Sequence, residues 1–101
     1  MLIFNTTYLV SDKMHGVWNK WVREHLIPFM TGSNYFTQPQ IAKVYTQEEQ
    51  EGISFSVQFH IADLAALEDW NNRYGAEFQK NCSEKFGTEV LFFSTVLEIM
   101  E

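Results

Sequence analysis

Apolar positions recur along this chain with two different periods, and the switches between them mark out six elements. From Leu2 to Val10 the residues are β-branched and aromatic on both alternating faces, which predicts a central strand covered on two sides. Ser11-Asp12 then offers side-chain oxygens for the unpaired first N–H groups of a helix. Met14, Trp18, Trp21, Val22, His25, Leu26 and Phe29 follow at three- and four-residue spacing, so the period predicts that all of them share one apolar stripe. Pro28 falls where that helix should kink or stop.

Thr31-Gly32-Ser33-Asn34 reads as a loop, and Ile41 to Thr46 as a strand with Pro39 just ahead of it, which favours an edge position. An acidic turn runs from Gln47 to Gly52. After it Ile53, Phe55, Val57, Phe59 and Ile61 alternate with Ser54, Ser56, Gln58 and His60, the cleanest period-two pattern in the chain. Two strands with a short polar link predict a hairpin. Asp63 is placed to cap a second helix whose stripe is Leu64, Leu67, Trp70, Tyr74, Phe78, Cys82 and Phe86, with Gly87 as its stop and Gly75 weakening its middle. Glu89 to Met100 predicts a last strand that is apolar on both faces.

The order strand, helix, strand, strand, helix, strand predicts an α+β domain over residues 1–101, with a four-stranded antiparallel sheet and two helices on one face. Such a sheet has a bare side. If that side is as apolar as the last strand suggests, a monomer would expose a patch that water tolerates poorly, and a two-fold homodimer is the simplest cover.

Composition narrows the function classes. A formal charge of −6, with seven scattered Lys and Arg, argues against a nucleic-acid partner, because phosphate backbones are held by clustered cations. Gly52-Ile53-Ser54-Phe55-Ser56-Val57-Gln58-Phe59 faintly resembles an RNA-recognition strand, but Glu51 stands where a basic residue is needed. Aromatic residues make up 16% of the chain, more than a minimal interior needs, so some are expected to face a second copy. A single cysteine, Cys82, excludes an internal disulfide and fits a reducing compartment. The first ten residues show neither a signal peptide nor a membrane span, so the expected address is the cytoplasm, with no membrane partner.

Four segments carry a resemblance to a known family: Met1-Leu2-Ile3-Phe4-Asn5-Thr6-Thr7, the spaced set Trp18, Trp21, His25 and Pro28, the pair Gln58-Phe59, and Phe86-Gly87 with Val90. Through them the chain resembles the short bacterial proteins of domain of unknown function 4286. The resemblance implies a ferredoxin-like subunit of the dimeric α+β barrel group, in which two sheets join and the helices lie outside. That group includes cofactor-free monooxygenases and haem-degrading enzymes. For haem chemistry it would require an Asn on strand one with a Trp and a His on the second helix; Asn5 and Trp70 can be placed there, but the second helix has no histidine.

The chemistry-bearing side chains are few. His25 either contacts a ligand or is a buried structural histidine. Trp18 and Trp21 either line a pocket or fill the core with their indole N–H groups satisfied. Asn5, polar within a strand suited to burial, must have a partner, since an unpaired buried amide costs roughly 1–3 kcal/mol. His60 shares a polar strand face with Ser54, Ser56 and Gln58, which is either solvated or the lining of a wet barrel interior. His15, His25 and His60 form no metal-ligand spacing, Cys82 reads as a small hydrophobe, and no Gly-x-Ser-x-Gly is present. The first reading is therefore a homodimer, without cofactor, that binds a small apolar or aromatic ligand between sheet and helices, lined by Asn5, Trp21, His25 and Tyr74. The alternative is a cofactor-independent oxygenase-like enzyme in which Asn5 and His25 polarise an enolisable aromatic substrate.

Overall fold

The computed structural model describes residues 1–46 and 51–100, and residues 47–50 of the expected turn from Gln47 to Gly52 lie outside them. Strands β1 (Leu2–Val10), β2 (Thr37–Val44), β3 (Ile53–Ile61) and β4 (Val90–Glu98) form one antiparallel sheet in the order β2-β3-β1-β4. Helices α1 (His15–Trp21) and α2 (Ile27–Gly32) are joined by a π turn over Val22–Leu26, and α3 spans Leu64–Phe86. The Cα envelope is only 18 Å thick, which is room for a sheet and one helix layer. The second face of the sheet is open.

Local chemistry accounts for most boundaries. The Asp63 carboxylate accepts the Ala66 N–H at 2.8 Å and starts α3, while Gly87 at φ +56° stops it. The Ser11-Asp12 cap does not form: the Ser11 carbonyl accepts from Met14 N–H in a turn, and α1 begins only at His15 without a side-chain cap. Strand β2 starts four residues earlier than the sequence predicts, at Thr37. Pro39 sits inside it at a register shift beside Gln38, whose φ is +56°, and this is tolerated because β2 is an edge strand. Strand β4 stops at Glu98, short of Met100.

Even-numbered residues of β1 face the helices, so Leu2, Phe4, Tyr8 and Val10 are buried. Within one subunit only one face of β1 is covered: Ile3, Asn5, Thr7 and Leu9 are half-buried. The core is mainly aromatic. Trp18 stacks on Phe55 with centroids 4.7 Å apart, and Phe4 meets Phe36, Trp70 and Phe78 at 5.5–5.8 Å. The indole N–H groups of Trp18 and Trp70 have no hydrogen-bond partner among the described residues, contrary to the expectation that buried indoles are satisfied.

Cys82 is buried, and burial pushes its thiol up to about 12 from an ordinary 9.0; burial raises the nearby Tyr8 phenol as well. In each case the folded state holds a proton that the unfolded chain releases first. Stability should therefore fall as pH rises above 9, by about 1.4 kcal/mol per pH unit for each group in its window. Urea midpoints taken between neutral and strongly alkaline pH should show this fall, and Cys82→Ala should flatten its lower part.

Candidate functional site

The four residues expected to line one pocket are not brought together. Asn5 pairs with Gln58 and Thr95, and its odd place in the pleat turns it to the open face of the sheet, away from both helices. There its amide donates to Thr95 at 3.2 Å and to Thr7 at 3.3 Å and accepts from Ser56, whose hydroxyl also accepts from Gln58. Asn5 thus has protein partners. The expected lining role between sheet and helices is corrected by the period of the strand.

His25 is exposed, although a 3.6-residue period places it in the core stripe. Pro28 has no N–H to return to Glu24, and Ile27 N–H bonds instead to the Val22 carbonyl five residues back. The wider turn shifts the buried set to Trp18, Val22, Leu26 and Met30, four residues apart, and rotates His25 out. Trp21 stays inside, edge-on to Phe86 at 5.5 Å. Trp21 and His25 share an open cleft of about 590 Å³ on the outer side of the molecule, between the π turn and the later part of α3.

Tyr74 is half-buried elsewhere, with its ring near Phe29 (6.2 Å) and Tyr35 (6.4 Å). Beside it the Tyr35 hydroxyl donates to Asp69, which Arg73 also reaches at 3.3 Å. That tyrosine hydrogen bond holds the Asp69 carboxyl below its ordinary value and raises the Tyr35 phenol. The cluster ties the start of β2 to α3 and is a strap between elements.

A recess between sheet and helix does exist, formed by other residues than those four. A groove of about 460 Å³ lies at the start of α3, floored by Phe4 and Trp70 and walled by Leu64, Leu67 and Asn71. Helix α3 covers the Val90 end of β4 but leaves Ser94 and Val96 exposed, so the sheet beside Phe4 is uncovered. Gly75 finds its explanation here. A Cβ at this buried position would lie 2.3 Å from Asn71 Oδ1, so the missing side chain gives the Asn71 amide room to lie along the helix beside the groove.

The open face is divided, not uniformly apolar. Asn5, Thr7, Ser54, Ser56, Gln58, His60 and Thr95 form a polar band, flanked on the β4 side by Leu9, Leu91, Phe93 and Leu97. Phe93 is 62% and Leu91 57% exposed. The residues do not fit a haem site: α3 carries no histidine, and Asn5 and Trp70 lie on opposite sides of the sheet, since Trp70 contacts Phe4. Among the described residues no three His, Cys, Asp or Glu side chains gather to hold a metal, and no helix is long and apolar enough to cross a membrane.

Comparison with known proteins bears on the fold. The family model described as Domain of unknown function (DUF4286) matches residues 1–100. A search of curated proteins returns no significant match. Among solved structures, the chain is similar to a Deinococcus radiodurans protein assigned by name to the antibiotic biosynthesis monooxygenases, at TM-score 0.70 and 16% identity over 100% of this chain and 94% of that one. It is similar to a dimeric ferredoxin-like protein from an uncultured marine organism, at TM-score 0.70 and 17% identity over 99% and 95%. It also matches an MhuD mutant bound to manganese protoporphyrin IX, at TM-score 0.69 and 16% identity over 100% and 96%. At these identities the likeness shows the ferredoxin-like fold, as the sequence predicts, and not an activity.

Proposed function

The chain belongs to the DUF4286 family, a domain of unknown function, and from that premise we propose that it is a homodimeric binding protein for a small apolar or aromatic molecule. The observation that carries this reading is the groove between sheet and α3, an opening lined by Phe4, Leu64 and Leu67 above the buried ring of Trp70. Sites of this kind are concave, largely apolar and fitted with a few polar groups, here Asn71 and Glu68 at the edge. The second copy covers the open sheet face, which leaves the groove accessible on the helix side. Similar structures named as dimeric ferredoxin-like proteins support that assembly.

The enzyme reading loses its proposed pair, because Asn5 and His25 lie on opposite sides of the sheet and cannot polarise one substrate. Titration with the neutral dye Nile red tests the binding reading. One dye per subunit should bind with enhanced emission, and Leu67→Trp, which fills the groove from a half-exposed position, should weaken binding about tenfold with the circular dichroism spectrum kept. Equal binding by the variant would place the dye elsewhere and refute the groove.

A further inference from the structure

We propose that the outer cleft between the π turn and α3 is a separate site for a small aromatic carboxylate. The cleft joins a ring surface, from Trp21 and Phe29, to the polar groups of His25, Asn81 and Lys85. None of the Trp21, His25 and Asn81 side chains has a hydrogen-bond partner among the described residues, and Lys85 makes no ion pair there, its ammonium lying 5.8 Å from the Phe86 ring. Several unpaired hydrogen-bonding groups on one recess are what a ligand would satisfy.

Their chemistry selects its type. An indole N–H and an ammonium only donate, an amide and a neutral imidazole each have a donor to offer, so the complementary ligand is rich in acceptors. A carboxylate meets that demand with charge-assisted bonds, and an attached ring matches the aromatic wall. The one carboxylate in the cleft, Glu84, does not oppose this, because it is paired with Lys80 at 3.4 Å and Lys85 leaves a local excess of positive charge. The overall charge of −6 is largely screened beyond about 10 Å at moderate salt. The π turn is what makes the site, since a regular helix would bury His25 in the core stripe.

The test is titration of the whole protein with 1-naphthoate and with its neutral analogue 1-naphthalenemethanol, followed by amide and indole NMR shifts. Naphthoate should bind with a dissociation constant below about 1 mM, with the largest shifts at Trp21, His25 and Asn81, and the alcohol about tenfold more weakly. Lys85→Gln and His25→Ala, both at exposed positions, should each weaken naphthoate about fivefold or more without unfolding the chain. Trp21→Phe should remove the indole contact, and Leu67→Trp should leave naphthoate binding unchanged, which separates this site from the groove. Equal affinity for acid and alcohol, shifts centred on Trp70, or indifference to Lys85→Gln and His25→Ala would overturn the proposal.

Discussion

Phe93→Lys is expected to turn the proposed homodimer into a folded monomer. Phe93 lies on the edge strand β4, opposite Thr7 of β1, on the sheet face that no helix covers. With Leu91 and Leu97, which are 57% and 44% exposed, it forms the apolar flank of that face. In a two-fold pairing the same patch appears on both copies, so one substitution acts twice. Each copy loses the burial of a phenylalanine, about 1.5–3 kcal/mol, and an ammonium must leave water without a carboxylate to meet it. Together these terms correspond to at least a hundredfold rise in the dissociation constant. The polar band does not offset the loss, because Asn5, Thr7, Ser56 and Gln58 already bond to one another and offer an ammonium only neutral acceptors, not a counter-charge. Sedimentation at micromolar concentration should show wild type as a dimer and the variant as a monomer with an unchanged far-ultraviolet spectrum. A monomeric wild type refutes the assembly, and a dimeric variant moves the interface off this face.

What the sequence revealed of this fold follows from how regular each element is. Strand β3 alternates without interruption and α3 has both a capping aspartate and a stopping glycine, so their positions could be read directly. The first helix could not be read as well, because its period changes inside it: Pro28 removes one hydrogen-bond donor, the turn widens, and every position after Val22 rotates relative to a 3.6-residue count. His25 was misplaced for that reason alone. Asn5 was misplaced although its signal was present. In β1 two of the four odd positions, Asn5 and Thr7, are polar, against only Thr6 of the five even ones, which marks the odd side as the less buried one. The groove was illegible from Phe4 and Trp70, since a ring that floors a recess and a ring that fills a core have the same spacing. What separates them is how far α3 reaches across the sheet, a property of packing that no local pattern records.

Gly52→Ala should be the most damaging small substitution in the chain. Gly52 precedes β3, where Ile53 pairs with Val10, and its φ of +91° lies in the region that L side chains avoid. A Cβ there would stand 2.5 Å from the Val10 carbonyl oxygen and 3.1 Å from its carbon. Both atoms belong to the backbone of the central strand β1, so relief cannot come from a side chain swinging away. Either β1 and β3 part at their last pair or the backbone at Gly52 adopts another path, and each route gives up ladder hydrogen bonds next to the buried Val10. Backbone strain and overpacking are each worth roughly 1–3 kcal/mol, so a loss of about 2–5 kcal/mol is expected, or a melting temperature lower by about 10 °C or more. Gly16→Ala is the control. Gly16 lies in α1 at ordinary φ with nothing within 4 Å of the added carbon, so there the same methyl should raise stability by up to about 1 kcal/mol through helix propensity. Urea unfolding of both variants at one protein concentration reads the contrast. If Gly52→Ala matched wild type, the tight approach of the β3 start to Val10 would be wrong.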